Sequence, residues 1–208
     1  MHPEASRLFA LDEALRAEAD KMLAESGIAA ILADYGYEPV GSYAMRTMTW
    51  RDLDFHRSED DPDRARHWDI GTRLARTGWC VRLQCIDVYR EQWSDHGLYW
   101  GIRVADPARP ETAPRGDPTV WKLDLWSARP REWTDAGRRE RWLSLMTDDA
   151  RSCVLAVKEA ICREPEYRKT MLSVHVYEAV LEHGIRDLAA FRRWWERTVR
   201  DGKSLSDK

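Results

Sequence analysis

The stretch from Val40 to Phe55 couples a glycine-serine turn to two carboxylates: Gly41-Ser42, nine intervening residues, then Asp52-Leu53-Asp54. Strand alternation turns Asp52 and Asp54 to one side and Leu53 and Phe55 to the other. Carboxylates so placed offer hard oxygen ligands, and Mg²⁺ favours a few of them, with water and substrate phosphates, over an all-protein cage. Two such ions roughly 4 Å apart can activate an attacking hydroxyl and stabilise a leaving pyrophosphate in an in-line displacement. Glycine lets the backbone approach a phosphate closely, and the Ser42 hydroxyl can donate to it. A short helix opening at this turn would add backbone N–H groups that favour anions.

A third carboxylate is expected from the strand-like run Pro118 to Ser127. There Asp124 is the only acid, and its neighbours Leu123 and Leu125 belong in a core. If this run lies beside Asp52-Leu53-Asp54, Asp124 completes a three-carboxylate cluster. Three crowded carboxylates repel one another, so without cations at least one would keep its proton. Asp87, in Gln-Cys-Ile-Asp-Val-Tyr, is the rival for the third place. Lys122 shares a strand face with Asp124 and can steady either the carboxylates or a phosphate, or form a plain salt bridge. Arg46 and Arg51 flank the spacer and can reach phosphate oxygens or lie on the surface. His56 falls on the same face as Asp54, and Trp126 shares the face of Asp124, where it can stack a base or a ring-bearing acceptor.

Apolar-Gly-Ser, a spacer, Asp-x-Asp between apolar residues and a later-strand aspartate resemble the nucleotidyltransferase fold of the DNA polymerase beta superfamily over about residues 25 to 128. The resemblance implies an α+β chain: a small mixed nucleotidyltransferase sheet flanked by helices, followed by a C-terminal helical bundle. Residues 1–130 would form the catalytic domain and 131–208 the helical one. It implies that Asp52, Asp54 and Asp124 bind two Mg²⁺ ions, with Asp124 orienting or deprotonating the incoming hydroxyl, while Gly41 and Ser42 hold the triphosphate. In poly(A)-polymerase-like members a lysine on one helix and a serine on the next touch the triphosphate, places open here to Lys158 and Ser173. A lysine on an amphipathic helix is otherwise expected on its solvated side. The style is closest to small-molecule nucleotidyltransferases of the aminoglycoside and lincosamide type, which transfer a nucleoside monophosphate from a nucleoside triphosphate to a hydroxyl. A toxin-antitoxin or protein- or RNA-modifying member, or a non-catalytic nucleotide-binding relative, is the alternative.

The elements that must carry these residues follow from periodicity and breakers. Helices are expected over Pro3 to Ser26, Ile28 to Tyr35 and Arg64 to Arg76, ended by Gly27, Gly36 and Gly78. Strands are expected over Tyr37 to Tyr43, Asp52 to His56, Trp79 to Tyr89 and Leu98 to Val104, the last two joined by a hairpin through Gln92 to Gly97. Asp106 to Asp117 is a Pro- and Gly-bearing loop long enough to act as a lid or to bind the acceptor. Helices follow over Asp135 to Met146, Asp148 to Cys162, Glu166 to His183 and Ile185 to Arg200.

Composition bounds the partners. Of 208 residues, 43% are hydrophobic, enough for a core, and 33% are charged. The net charge of −3 gives no general pull toward a long polyanion or a membrane, so a small acceptor is expected and long nucleic acid is not. No apolar run approaches the roughly 20 residues needed to cross a bilayer. The first residues lack a signal-peptide pattern, so the expected location is the cytoplasm. Cys80, Cys85, Cys153 and Cys162 show neither Cys-x-x-Cys nor zinc spacing and are expected to be reduced packing residues.

Overall fold

The computed structural model describes residues 3–59, 63–87, 97–108, 119–128, 136–167 and 169–200. The chain forms two compact units, one of residues 13–135 and one of residues 1–12 with 136–208. Helix α1 (Pro3–Glu25) contributes to both.

The first unit is mixed α+β. It contains α2 (Ile28–Asp34), β1 (Glu38–Val40), α3 (Gly41–Ala44), β2 (Asp52–Ser58), α4 (Arg64–Arg76), β3 (Cys80–Asp87), β4 (Gly97–Val104) and β5 (Trp121–Ala128). The strands form one sheet in the order β1-β2-β5-β4-β3, in which only β2 and β5 run parallel. Alternation divides its two faces. On one, Leu53 and Phe55 of β2, Leu98, Trp100 and Ile102 of β4, and Trp121, Leu123 and Leu125 of β5 are buried. Helix α4 supports that face with Ile70 and Leu74. Gly71 is required there, because a Cβ on it would lie 2.3 Å from the Trp100 ring. The indole N–H of Trp100 donates to the His67 carbonyl at 2.8 Å and joins helix to strand. Asp63 starts α4 by accepting from the Ala65 and Arg66 amides.

The first strand is shorter than the sequence suggests. It ends at Val40, since Gly41 takes a φ of +60° and opens α3 directly. Of the expected hairpin, Gln92 to Gly97, and the expected loop, Asp106 to Asp117, residues 92–96 and 109–117 lie outside the described residues; β3 and β4 do pair antiparallel.

The second unit is helical: α5 (Ala136–Leu145), α6 (Asp148–Ile161), α7 (Ser173–Tyr177) continued by a π-helical turn over Glu178–Glu182, and α8 (Leu188–Arg200). Thr147 caps α6 by accepting from the Ala150 amide. Val154, Leu155, Ile161, Val176, Val180 and Phe191 form its core. The helix expected from Glu166 begins only at Ser173. The amides of Lys169, Thr170 and Met171 all donate to the Glu166 carbonyl at 3.1 Å, a tight turn that stops helix propagation. The His175 Nδ1 then accepts the Leu172 amide and starts α7.

No helix among the described residues is long and apolar enough to cross a membrane. All four cysteines are free thiols.

Candidate metal centre

The sheet face opposite α4 carries the candidate site, and strand register fixes its layout. Three rows cross it. The first is Asp52, Lys122, Arg103 and Arg82; the second is Val40, Asp54, Asp124, Gly101 and Gln84; the third is Glu38, His56, Trp126, Tyr99 and Ile86. Residues directly opposite on paired strands share a face. Asp54 and Asp124 are neighbours because β2 and β5 pair in parallel, and ligand oxygens of Asp52, Asp54 and Asp124 all lie within 4.8 Å of one another.

Gly41 closes the cluster from the β1 side. A Cβ there would stand 2.5 Å from Asp54 Oδ2, and the +60° φ is itself costly for any residue with a side chain. Ser42 follows, buried in the first turn of α3, and its carbonyl accepts the Thr47 amide at 2.9 Å.

A cation already sits among the carboxylates. The Lys122 ammonium donates to Asp52 Oδ1 at 2.9 Å and to Asp124 Oδ2 at 2.5 Å. Burial pulls the lysine pKa down, but the charges of Asp52, Asp124 and Asp54 outweigh it and leave the pKa above its ordinary value. The remaining oxygens are also addressed: the Trp50 indole donates to Asp52 Oδ2 at 3.1 Å and the Tyr99 hydroxyl to Asp124 Oδ1 at 2.9 Å. Burial first, then the Asp124 charge, raises the Tyr99 pKa far above that of a free phenol, so it stays a donor. The Tyr99 and Trp126 rings lie 4.8 Å apart, centre to centre. His56 is buried beside them, and burial lowers its pKa.

The donor set fits a hard divalent ion. It is all oxygen, comes from three carboxylates, and has a lysine ammonium bridging two of them as a cation stand-in.

The other candidates fall elsewhere. Asp87 stands on β3 in an ion pair with Arg64 of α4 at 3.0 Å, away from the cluster. Arg51 grips Glu18 with two hydrogen bonds of 2.7 Å. Arg46 is exposed, with a φ of +56°. Lys158 and Ser173 belong to the helical unit. Lys158 is completely buried, not solvated, with its ammonium 3.4 Å from the Tyr177 hydroxyl and over the Tyr177 ring. The Ser173 hydroxyl is 2.7 Å from that of Tyr167.

Two members of the site escaped sequence reasoning. Tyr99 and Gly101 sit between buried Leu98, Trp100 and Ile102, so alternation alone puts them on the open face. Only the register, with Gly101 opposite Asp124, brings them to the cluster. No protein-family model and no curated protein matches this chain.

Proposed function

We propose that this chain is a Mg²⁺-dependent nucleotidyltransferase of the polymerase beta fold type, moving a nucleoside monophosphate from a nucleoside triphosphate to a hydroxyl of a small molecule. The observation that carries the reading is the meeting of Asp52, Asp54 and Asp124 within 4.8 Å on one sheet face, with Gly41 packed against Asp54. In the reaction the acceptor oxygen bonds to the α-phosphorus, the bond from that phosphorus to the β-phosphate bridging oxygen breaks, and pyrophosphate leaves. The hydroxyl proton passes to Asp124 and then to solvent. Bound Mg²⁺ would supply the Lewis acidity that lowers the barrier to attack and stabilises the leaving oxygens. Asp52, Asp54 and Asp124 would hold it. Gly41 leaves the backbone open for a phosphate to approach, and Ser42 lies beside that opening. Tyr99 orients Asp124, and Lys122 keeps the carboxylates together until a divalent ion takes over.

The test is pyrophosphate release from each of the four nucleoside triphosphates, with and without Mg²⁺, over a panel of hydroxyl acceptors. Asp52→Asn and Asp54→Asn should abolish release while the circular dichroism spectrum stays unchanged. Release that persists in both variants would sink the proposal. One observation favours a second reading, a non-catalytic nucleotide-binding relative: Lys122 already neutralises Asp52 and Asp124. Failure of Mn²⁺ to bind the cluster, together with no turnover, would favour that reading.

A further inference from the structure

Resting on the nucleotidyl-transfer reading, we infer that the acceptor is a small anionic hydroxyl compound whose phosphate or carboxylate seats on Arg103 and Arg82. The direction of approach comes from the strand order. Gly41 and Ser42 lie on the β1 side of the carboxylates, so the triphosphate belongs there. Asp124, the base, is the carboxylate farthest from β1, and beyond it the same face continues over β4 and β3.

On that face the Tyr99 side chain lies beside the base, where the acceptor must sit. Opposite Asp124 stands Gly101, and the space its Cβ would fill is taken by the Tyr99 hydroxyl, 2.6 Å away. The absent side chain at Gly101 therefore makes room for Tyr99, whose ring forms the floor beside the base. The Trp126 ring, 4.8 Å from that of Tyr99, bounds it on one flank, and the row Lys122, Arg103, Arg82 bounds it on the other.

The charge of this acceptor side is positive. Arg103 donates to the Ile102 carbonyl at 3.1 Å and Arg82 to the Gln84 side chain at 3.2 Å; neither meets a carboxylate among the described residues. Asp87, the one acid of β3, pairs with Arg64 of α4. At the usual strand spacing Arg103 lies roughly 5 Å and Arg82 roughly 10 Å from Lys122, before side-chain reach is added. A compact acceptor with its anion one sugar's length from the reacting hydroxyl spans that distance. Arginine suits such a group, since its planar fork pairs with carboxylate and phosphate oxygens. A polycationic acceptor of the aminoglycoside kind would face repulsion. A long polyanion lacks a basic track, because the chain as a whole carries −3.

The experiment uses the full chain with Mg²⁺ and its preferred triphosphate, and compares ribose 5-phosphate, ribose, glycerate, glycerol, kanamycin and a ten-nucleotide RNA. Binding of ribose 5-phosphate and glycerate is measured in parallel by calorimetry. The expected result is at least a tenfold preference in kcat/KM for an anionic member over its neutral partner, and the two anions separate phosphate from carboxylate recognition. Arg103→Gln and Arg82→Gln should each raise KM for that acceptor about tenfold with kcat little changed, and weaken its binding alike. Equal or better use of a neutral, cationic or RNA acceptor overturns the inference and leaves nucleotidyl transfer standing. Anion binding that the arginine variants do not weaken overturns it as well. Absence of both turnover and anion binding, with no Mn²⁺ bound, removes the functional reading and the inference together.

Discussion

Replacing Lys122 with methionine keeps the length of the stem and deletes the cation that bridges Asp52 and Asp124. Removing one partner of a buried ion pair costs about 3–5 kcal/mol. The Lys122 side chain is 21% exposed, so screening reduces the expected loss for this site to about 2–3 kcal/mol. That loss should appear in chelator. A divalent ion held by the same three carboxylates replaces the missing charge, and at a free concentration 100 times its Kd contributes about 2.7 kcal/mol. The ion gains more in the variant than in the wild type, where it must first displace the ammonium. Hydrogen exchange of the β2 and β5 amides in urea, with EDTA and then with increasing Mn²⁺, reads the stability of the sheet unit directly. The gap between the two proteins should open in EDTA and close to under about 1 kcal/mol at saturating Mn²⁺. Equal stability in EDTA, or a gap indifferent to Mn²⁺, would refute the view that lysine and metal compete for one place.

Gly41→Ala forces a side chain into a φ of +60° and to 2.5 Å from Asp54 Oδ2, so transfer should fall at least 100-fold, with a stability loss of about 1–3 kcal/mol; steady-state rates and urea midpoints measure the two. Burial, aided by the nearby Arg57 charge, pushes the His67 pKa down to about 4. Because the folded value lies below the unfolded one, the stabilisation is complete above the unfolded value near 6.5 and is lost as pH falls through the folded value. The loss totals about 3 kcal/mol, and His67→Phe should flatten that part of the stability curve. In the helical unit Asp12 is wholly buried and pairs with Arg151 at 2.6 Å. Asp12→Ala should cost about 2–3 kcal/mol by removing the carboxylate that accepts from Arg151, seen as a lower denaturation temperature.

The legible parts of the site were those set by local pattern. Alternation alone assigned Asp52, Asp54 and Asp124 to one kind of face, because leucine and phenylalanine neighbours demand the other. The glycines after α1, α2 and α4 marked helix ends through left-handed backbone, which depends on few residues, whereas the cap that Asp63 gives α4 emerged only from the structure. What depends on partners far along the chain was hidden. Alternation puts Lys122 on the face of Asp124, but its contact with Asp52 requires the β2–β5 register. Tyr99 and Arg103 join the site through the same kind of pairing on β4. Lys158 reads as a solvated helix residue because amphipathic period says nothing of a neighbour such as Tyr177, 19 residues on, that can receive a buried ammonium. The delay of α7 to Ser173 comes from three amides sharing one carbonyl, a turn with no glycine or proline to announce it within Glu166 to Leu172.

The parallel pairing of β2 with β5 has a kinetic side. Asp54 and Asp124 meet only when a segment of about seventy residues, holding α4, β3 and β4, has been closed into a loop, and such distant contacts form late and slowly. A ribosome-bound chain that ends before β5 carries Asp52 and Asp54 without their third partner. Tight Mn²⁺ capture during refolding would therefore report the arrival of the last central strand, making the metal a clock for assembly of the sheet.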